Sequence, residues 1–133
     1  MSDTTLTMER RLISGHSPFE PIAGYSRAVV AGSTVHVAGT APLAPDGSPT
    51  PEDAYGQARL CLSIIAGALG EAGATVADVV RTRLFITDSA YFEDVARAHG
   101  EVFGEIRPAT TCVVTGLLDP AWKVEIEAEA VVG

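Results

Sequence analysis

The chain is short of most residues that would advertise its chemistry, and each shortage excludes something. Of its 133 residues only 9 are lysine or arginine, against 17 aspartate or glutamate, giving a net charge of −8 and a pI near 4.7. Such a surface repels backbone phosphates on average and argues against nucleic acid as a partner. Arg10 with Arg11 and Arg81 with Arg83 are the only local basic pairs, and neither is interleaved with aromatics. The two cysteines, Cys61 and Cys112, stand far apart in apolar surroundings, without CxxC or metal-ligand spacing. They fit reduced thiols in a cytoplasmic protein. His16, His36 and His99 share no ligand spacing either, so neither a metal nor a cofactor is expected. No apolar run approaches the ~20 residues that span a bilayer. The first residues, MSDTTLTMERRL, lack an apolar h-region, so no membrane span and no secretory leader are expected.

What is present describes an ordinary globule. Hydrophobic residues make up 47% and charged residues 20% of the sequence, enough for a core and too apolar for disorder. The length suits a single domain, 1–133, opened by an irregular segment, 1–24. Within that segment Arg10 to Ile13 is a weak strand candidate, and Pro18 and Pro21 break up residues 16–24. Tyr25 to Val30 and Thr34 to Ala38 are β-rich runs around Ala31-Gly32-Ser33, which reads as a hairpin turn. Six prolines and glycines make residues 39–51 a loop. Glu52 and Asp53 then open a helix that runs to about Ala72, with Ala58, Cys61, Leu62, Ile65, Ala66 and Leu69 at helical spacing. Val79 to Thr87 is a strand. Asp88 or Ser89 caps a second helix, Ala90 to Phe103, and two strands close the chain.

The order β-β-β-α-β-α-β-β predicts an α+β fold, a mixed sheet whose two helices are crossovers. Right-handed crossovers put both on one face. The other face is then uncovered, although several strands carry apolar residues on both sides. A second copy of the chain is the simplest cover in so acidic a protein, so a homo-oligomer is expected.

The closing stretch, RPATTCVVTGLLDPAWKVEIEAEA, is the most informative. Its last strand alternates strictly, with Val124, Ile126, Ala128 and Ala130 on one face and Glu125, Glu127 and Glu129 on the other. Three carboxylates in one row repel one another, so the row is either solvated or put to use. Together with YSRAVVAGSTVHVAGTAPLAPDG and ALGEAGATVADVVRTRLFITD, this stretch resembles the RidA/YjgF family, also described as endoribonuclease L-PSP-like. The resemblance runs from about Tyr25 to Val132. It implies a chorismate-mutase-like fold and a barrel-like homotrimer with ligand clefts between subunits. It also implies hydrolysis of reactive enamines and imines such as 2-aminoacrylate, with an arginine holding the substrate carboxylate and a protein carboxylate activating water.

By that resemblance Glu125 is the candidate catalytic carboxylate. Tyr25, Gly39, Thr40, Thr110 and Cys112 are the candidate substrate-binding positions. Tyr25 reads equally as a strand aromatic, Gly39 as a turn residue and Cys112 as core. Deaminating members read Pro-Ala-Arg where this chain has Thr110, Ser-Gly-Gln where it has Ala38-Gly39-Thr40, and asparagine where it has Ala96. Losing a desolvated charge-assisted pair costs about 2–5 kcal/mol, or roughly 30- to several-thousand-fold in affinity. Arg107 lies roughly 10 Å from Thr110 along an extended strand, on the opposite face by parity. Arg83, on the neighbouring strand, is the other cation to consider. The sequence thus points to a small-molecule ligand lacking the usual carboxylate, an imine, enamine or related C–N compound. The alternative is a non-catalytic trimer that binds a metabolite or a partner. RNA cleavage fits neither the charge nor the absence of a His/Lys cleavage pair.

Overall fold

A computed structural model describes residues 9–133; the expectation for the first eight residues lies outside them. The elements are β1 (Arg10–Ile13), α1 (Phe19–Ala23), β2 (Ala28–Ala31), β3 (Thr34–Thr40), α2 (Ala54–Glu71), β4 (Val79–Ile86), α3 (Phe92–Phe103), β5 (Ala109–Val114) and β6 (Val124–Val131). Six strands form one sheet in the order β1-β2-β3-β6-β4-β5. Only β4 and β5 run parallel, joined through α3; the other pairs are antiparallel. The α+β order anticipated from the sequence is therefore the order observed, with one addition. Residues 16–24, expected to be irregular, hold the single-turn α1. Pro18 and Pro21 do not break it, because proline is tolerated before and within a first helical turn, where N–H groups have no intrahelical acceptor. Gly24 ends it at φ 78°, a left-handed cap that glycine adopts without strain.

Strand alternation sorts the side chains into two layers. Val35, Val37, Leu84, Ile86, Val124, Ile126, Ala128 and Ala130 are buried against α2 and its neighbours. α2 presents Ala58, Cys61, Leu62, Ile65 and Leu69 to them. α3 lies on the same face, where His99 reaches Thr82 of β4. The helix caps follow local chemistry. Asp53 accepts from the Gly56 N–H at the start of α2, and Asp88 accepts from Ala90 before α3, each satisfying an orphan donor. Arg11 donates to the carbonyls of Glu71 and Ala72 at the end of α2, where a cation suits the dipole.

The opposite face carries Leu12, Val29, His36, Phe85, Thr111, Val113 and the glutamates of β6, and α2 and α3 lie on the other side of the sheet. Leu12 is 62% and Val113 41% exposed. One buried side chain fixes where β6 begins. Gln57 of α2 donates to the carbonyls of Pro51 and Ala121 and accepts from the Lys123 N–H. With all three bonds made it holds the 115–123 loop against the helix, and so sets the position of Glu125 two residues on.

Candidate functional site

The carboxylate row on β6 is resolved unequally. Arg83 Nη1 lies 3.1 Å from Glu127 and 3.3 Å from Glu129, whose other oxygen lies 3.0 Å from His36 Nδ1. These cross-strand partners sit where the register places them, Arg83 opposite Glu127 and His36 opposite Glu129. Glu125 stands opposite Phe85 and has no ion-pair partner among the described residues. Arg83, considered as a ligand-binding cation, is already engaged by two carboxylates.

On its other side Glu125 meets a distortion of β3. Val37 pairs with Ala128 and Thr40 with Ile126, so Ala38 and Gly39 share the space of one partner residue, a β-bulge. A Cβ on Gly39 would collide with Glu125 Oε2. Glycine is therefore required here for close approach of a carboxylate to backbone. Burial, the largest influence, raises the Glu125 pKa above the ordinary carboxylate value; Arg27 pulls it down and Glu127 pushes it up.

Arg27 is the residue that the sequence reading passed over. Its Nη2 donates to the carbonyls of Ala38 (2.7 Å) and Gly39 (2.9 Å) and to the Thr40 hydroxyl (2.8 Å). The Thr40 hydroxyl in turn donates to Ala38 O, so Thr40 is spent on the bulge and is fully buried. Arg27 Nε is buried without a protein acceptor, an arrangement that costs about 1–3 kcal/mol or more for a charged group. Desolvation lowers the Arg27 pKa, opposed by Tyr25, Glu20 and Glu125. Behind both charges lies Cys61, whose thiol is pushed up to about 12, chiefly by burial and then by Glu125. It is inert at neutral pH. The signal for Arg27 was present: a single cation inside the β-rich run Tyr25 to Val30.

Tyr25 is exposed and reaches the Ser17 hydroxyl at 3.4 Å. It lines an open cavity of about 540 Å³ with Leu12, Glu20, His36 and Ala38. Tyr25, Gly39, Thr40 and Glu125 therefore gather around the β3 bulge, with Arg27 among them.

Thr110 and Cys112 lie elsewhere. They pair with Thr82 and Leu84, on the helix-covered face and on the edge strand. Thr82 pairs in turn with Ala128 of β6, which puts Thr110 two strands across and three residues along from Glu125, roughly 14 Å away and on the opposite face. The Thr110 hydroxyl is 2.8 Å from that of Thr82, which is 2.9 Å from His99 Nε2. Burial lowers the His99 pKa. Cys112 packs partly against the core, and burial raises its thiol pKa. Arg107 corrects the parity argument made from sequence. It is not extended but sits at φ 59°, so alternation does not extend to it. It lines a second cavity of about 500 Å³ with His99, Phe103 and Pro108, near Thr110. Among the described residues no three His, Cys, Asp or Glu side chains gather as metal ligands would.

Comparison with known proteins gives this geometry its context. The endoribonuclease L-PSP family matches residues 15–132. An uncharacterised Streptomyces coelicolor protein is 39% identical over 122 residues, 91% of this chain and 90% of that one. TdcF of Escherichia coli, named as a candidate reactive intermediate deaminase, is 34% identical over 113 residues, 83% of this chain and 88% of TdcF. Among solved structures, a Mycobacterium tuberculosis member of the YjgF family superposes with a TM-score of 0.85 at 46% identity, covering 93% of this chain and all of that one. The structure of E. coli TdcF with bound serine gives 0.78 at 31% identity, with 92% and 94% covered. The mixed sheet, its two crossover helices and its closing strand are those of this group, and the chain belongs to the RidA/YjgF (endoribonuclease L-PSP) family.

Proposed function

We propose that the protein hydrolyses an imine, enamine or related C–N compound that lacks a carboxylate, using Glu125 as general base. One observation carries this reading: of three glutamates in a row on β6, two are engaged by Arg83 and His36, while Glu125 is half-buried, without an ion-pair partner among the described residues, and set against the bare backbone of Gly39. A partly desolvated carboxylate with a raised pKa is a better base near neutrality than an ordinary one. Glu125 takes a proton from water as the oxygen attacks the C=N carbon and the electron pair moves to nitrogen. The same proton passes to that nitrogen to give the neutral carbinolamine; Glu125 then carries the carbinolamine hydroxyl proton to the nitrogen as the C–N bond breaks, the carbonyl forms and ammonia leaves. Tyr25 packs against the ligand, and the bulge backbone at Gly39 orients it.

Thr110 offers one neutral hydroxyl, already shared with Thr82, which supports a substrate without the usual carboxylate. Its separation from Glu125 also supports a cleft shared between copies, with the edge strand β5 of one chain facing the β3 bulge of another. The uncovered sheet face bearing Leu12, Val29 and Val113 supplies apolar area for that association, and a homotrimer is the arrangement we favour. No helix among the described residues is long and apolar enough to cross a membrane, and a cytoplasmic location fits the free thiols.

The test is ammonia release from a panel of freshly generated imines, charged and uncharged, by wild type and Glu125→Ala. Turnover of uncharged imines that falls roughly 100-fold or more in the variant is expected. Silence of both proteins on the whole panel, with ligand-induced shifts in melting temperature, would instead establish the non-catalytic binding alternative.

A further inference from the structure

We propose that Arg27 is a positioning residue of this site, pinning the Ala38–Gly39 bulge and standing as a fixed cation beside Glu125. The inference rests on the proposed role of Glu125 and deepens it. The geometry is specific. The two hydrogens of Nη2 serve three acceptors, Ala38 O, Gly39 O and Thr40 Oγ1, all at 2.7–2.9 Å. A bulge turns successive carbonyls out of the ladder, leaving them to find donors outside it. Here a single guanidinium corner supplies them. The residues it holds include the one whose missing side chain admits Glu125 Oε2.

The arginine is itself held. A Cβ on Gly15 would lie 3.2 Å from Arg27 Cβ and Cδ, so the 14–20 segment lies directly over its stem. Glu20, which fixes that segment by accepting from Gly15 and Ser17, adds a favourable charge. The ionisable groups acting on the pair are Tyr25, Glu20 and Cys61 around Arg27, and Glu127 beside Glu125. Arg27 is the cation among them, and its pull on Glu125 opposes the effect of burial.

This placement also bears on specificity. A carboxylate clamp needs two parallel N–H donors from one face of a guanidinium. In Arg27, Nη2 is committed to the bulge and Nε is buried. The site thus contains a cation that does not present the fork a substrate carboxylate requires. Its charge is directed at the backbone and Glu125.

The experiment compares wild type, Arg27→Gln and Arg27→Lys by NMR titration of the Glu125 side-chain carboxyl, by the amide shifts of Gly39 and Thr40, and by imine hydrolysis. In Arg27→Gln the Glu125 midpoint is expected to move upward, the Gly39 and Thr40 amides to shift, and kcat to fall roughly tenfold or more with little change in KM. Arg27→Lys keeps the charge but not the three-acceptor hand. It is expected to hold the midpoint near wild type, to displace the same amides and to recover part of kcat. If Arg27→Gln is too unstable to titrate, the lysine variant still reads the bulge. Unmoved Gly39 and Thr40 amides in the lysine variant, or an unmoved Glu125 midpoint in a folded glutamine variant, overturn the proposal. The NMR readouts need no turnover, so failure of the hydrolase reading leaves them able to decide the role of Arg27.

Discussion

The two ends of the candidate site are built on different terms. Around the β3 bulge, charge is concentrated and partly withdrawn from water: Glu125 against bare backbone, Arg27 spent on carbonyls, Thr40 fully buried. At the β5 edge no charge is present where the family resemblance leads one to expect arginine. Thr110 there joins a relay through Thr82 to His99. On the proposed reading the first end keeps a carboxylate to activate water and the second lacks a cation to hold a substrate carboxylate. The comparison teaches that the two proposed roles sit on separate strands, Glu125 on β6 and Thr110 on β5, so each can be altered by its own substitution.

Restoring the anchor is the largest perturbation this contrast allows. Thr110→Arg is expected to raise affinity for carboxylated imines such as that derived from 2-aminoacrylate by roughly 30- to several-thousand-fold. The position is an exposed edge-strand site, and the substitution gives up only the hydroxyl contacts to Thr82 and the Pro108 carbonyl. Steady-state kinetics on carboxylated and uncharged imines would show whether specificity moves. An unchanged ratio would mean that Thr110 never faces the ligand.

The bulge end is tested more finely by Gly39→Ala. The added Cβ would collide with Glu125 Oε2, the far end of a flexible side chain, which can rotate aside at little cost in stability. What it cannot do is rotate and stay in register with the substrate. Activity should fall roughly 10- to 100-fold, since misplacing a reacting group by about 1 Å is worth that much. Stability should change by less than about 1 kcal/mol. Chemical denaturation beside kinetics separates the two. A large loss of stability with activity per folded molecule preserved would assign Gly39 to folding alone.

How much of this was legible beforehand differs between the two ends for physical reasons. The fold was readable because its signals are local: strict alternation in β6, helical spacing in α2, Asp53 and Asp88 at the starts of their helices. The one-turn α1 was missed because proline was read as a breaker without regard to its position in the turn. Glu125 and Gly39 could be named from the family pattern, yet their contact depends on a bulge. A bulge is a mismatch between two strands that neither strand's sequence records by itself. Arg27 stands out in the sequence as the single cation of its β-rich run, but its role was hidden for the same reason, since its three acceptors are displaced by that bulge. Arg107 falls outside the strand parity because it sits in the left-handed region, where alternation ends. The unequal treatment of the glutamates depended on which strand neighbours β6. Once β3 and β4 are placed there, His36 and Arg83 fall opposite Glu129 and Glu127, and Glu125 is left over.

That remainder has a thermodynamic signature of its own. The Glu125 carboxyl has a raised pKa in the folded chain, so between its ordinary and raised values the native state binds more protons than the unfolded state. Stability contributed by this group is therefore greatest below the ordinary carboxylate pKa and is lost as pH rises through the folded value. Above the folded value the carboxylate is ionised in both states and its desolvation cost is fully present. Glu125→Gln removes that cost. It is expected to stabilise the protein by less than about 1 kcal/mol, because the group is half exposed and screened, or up to about 4 °C in Tm. The gain should vanish below about pH 4, where the wild-type carboxyl is protonated as well. Thermal melts of both proteins from pH 4 to 8 test this. A glutamine variant no more stable than wild type at pH 7 would mean that Arg27 already compensates the burial in full. In that case the Arg27→Gln background is where the same substitution should become stabilising, because the only cation acting on Glu125 among the described residues is then gone.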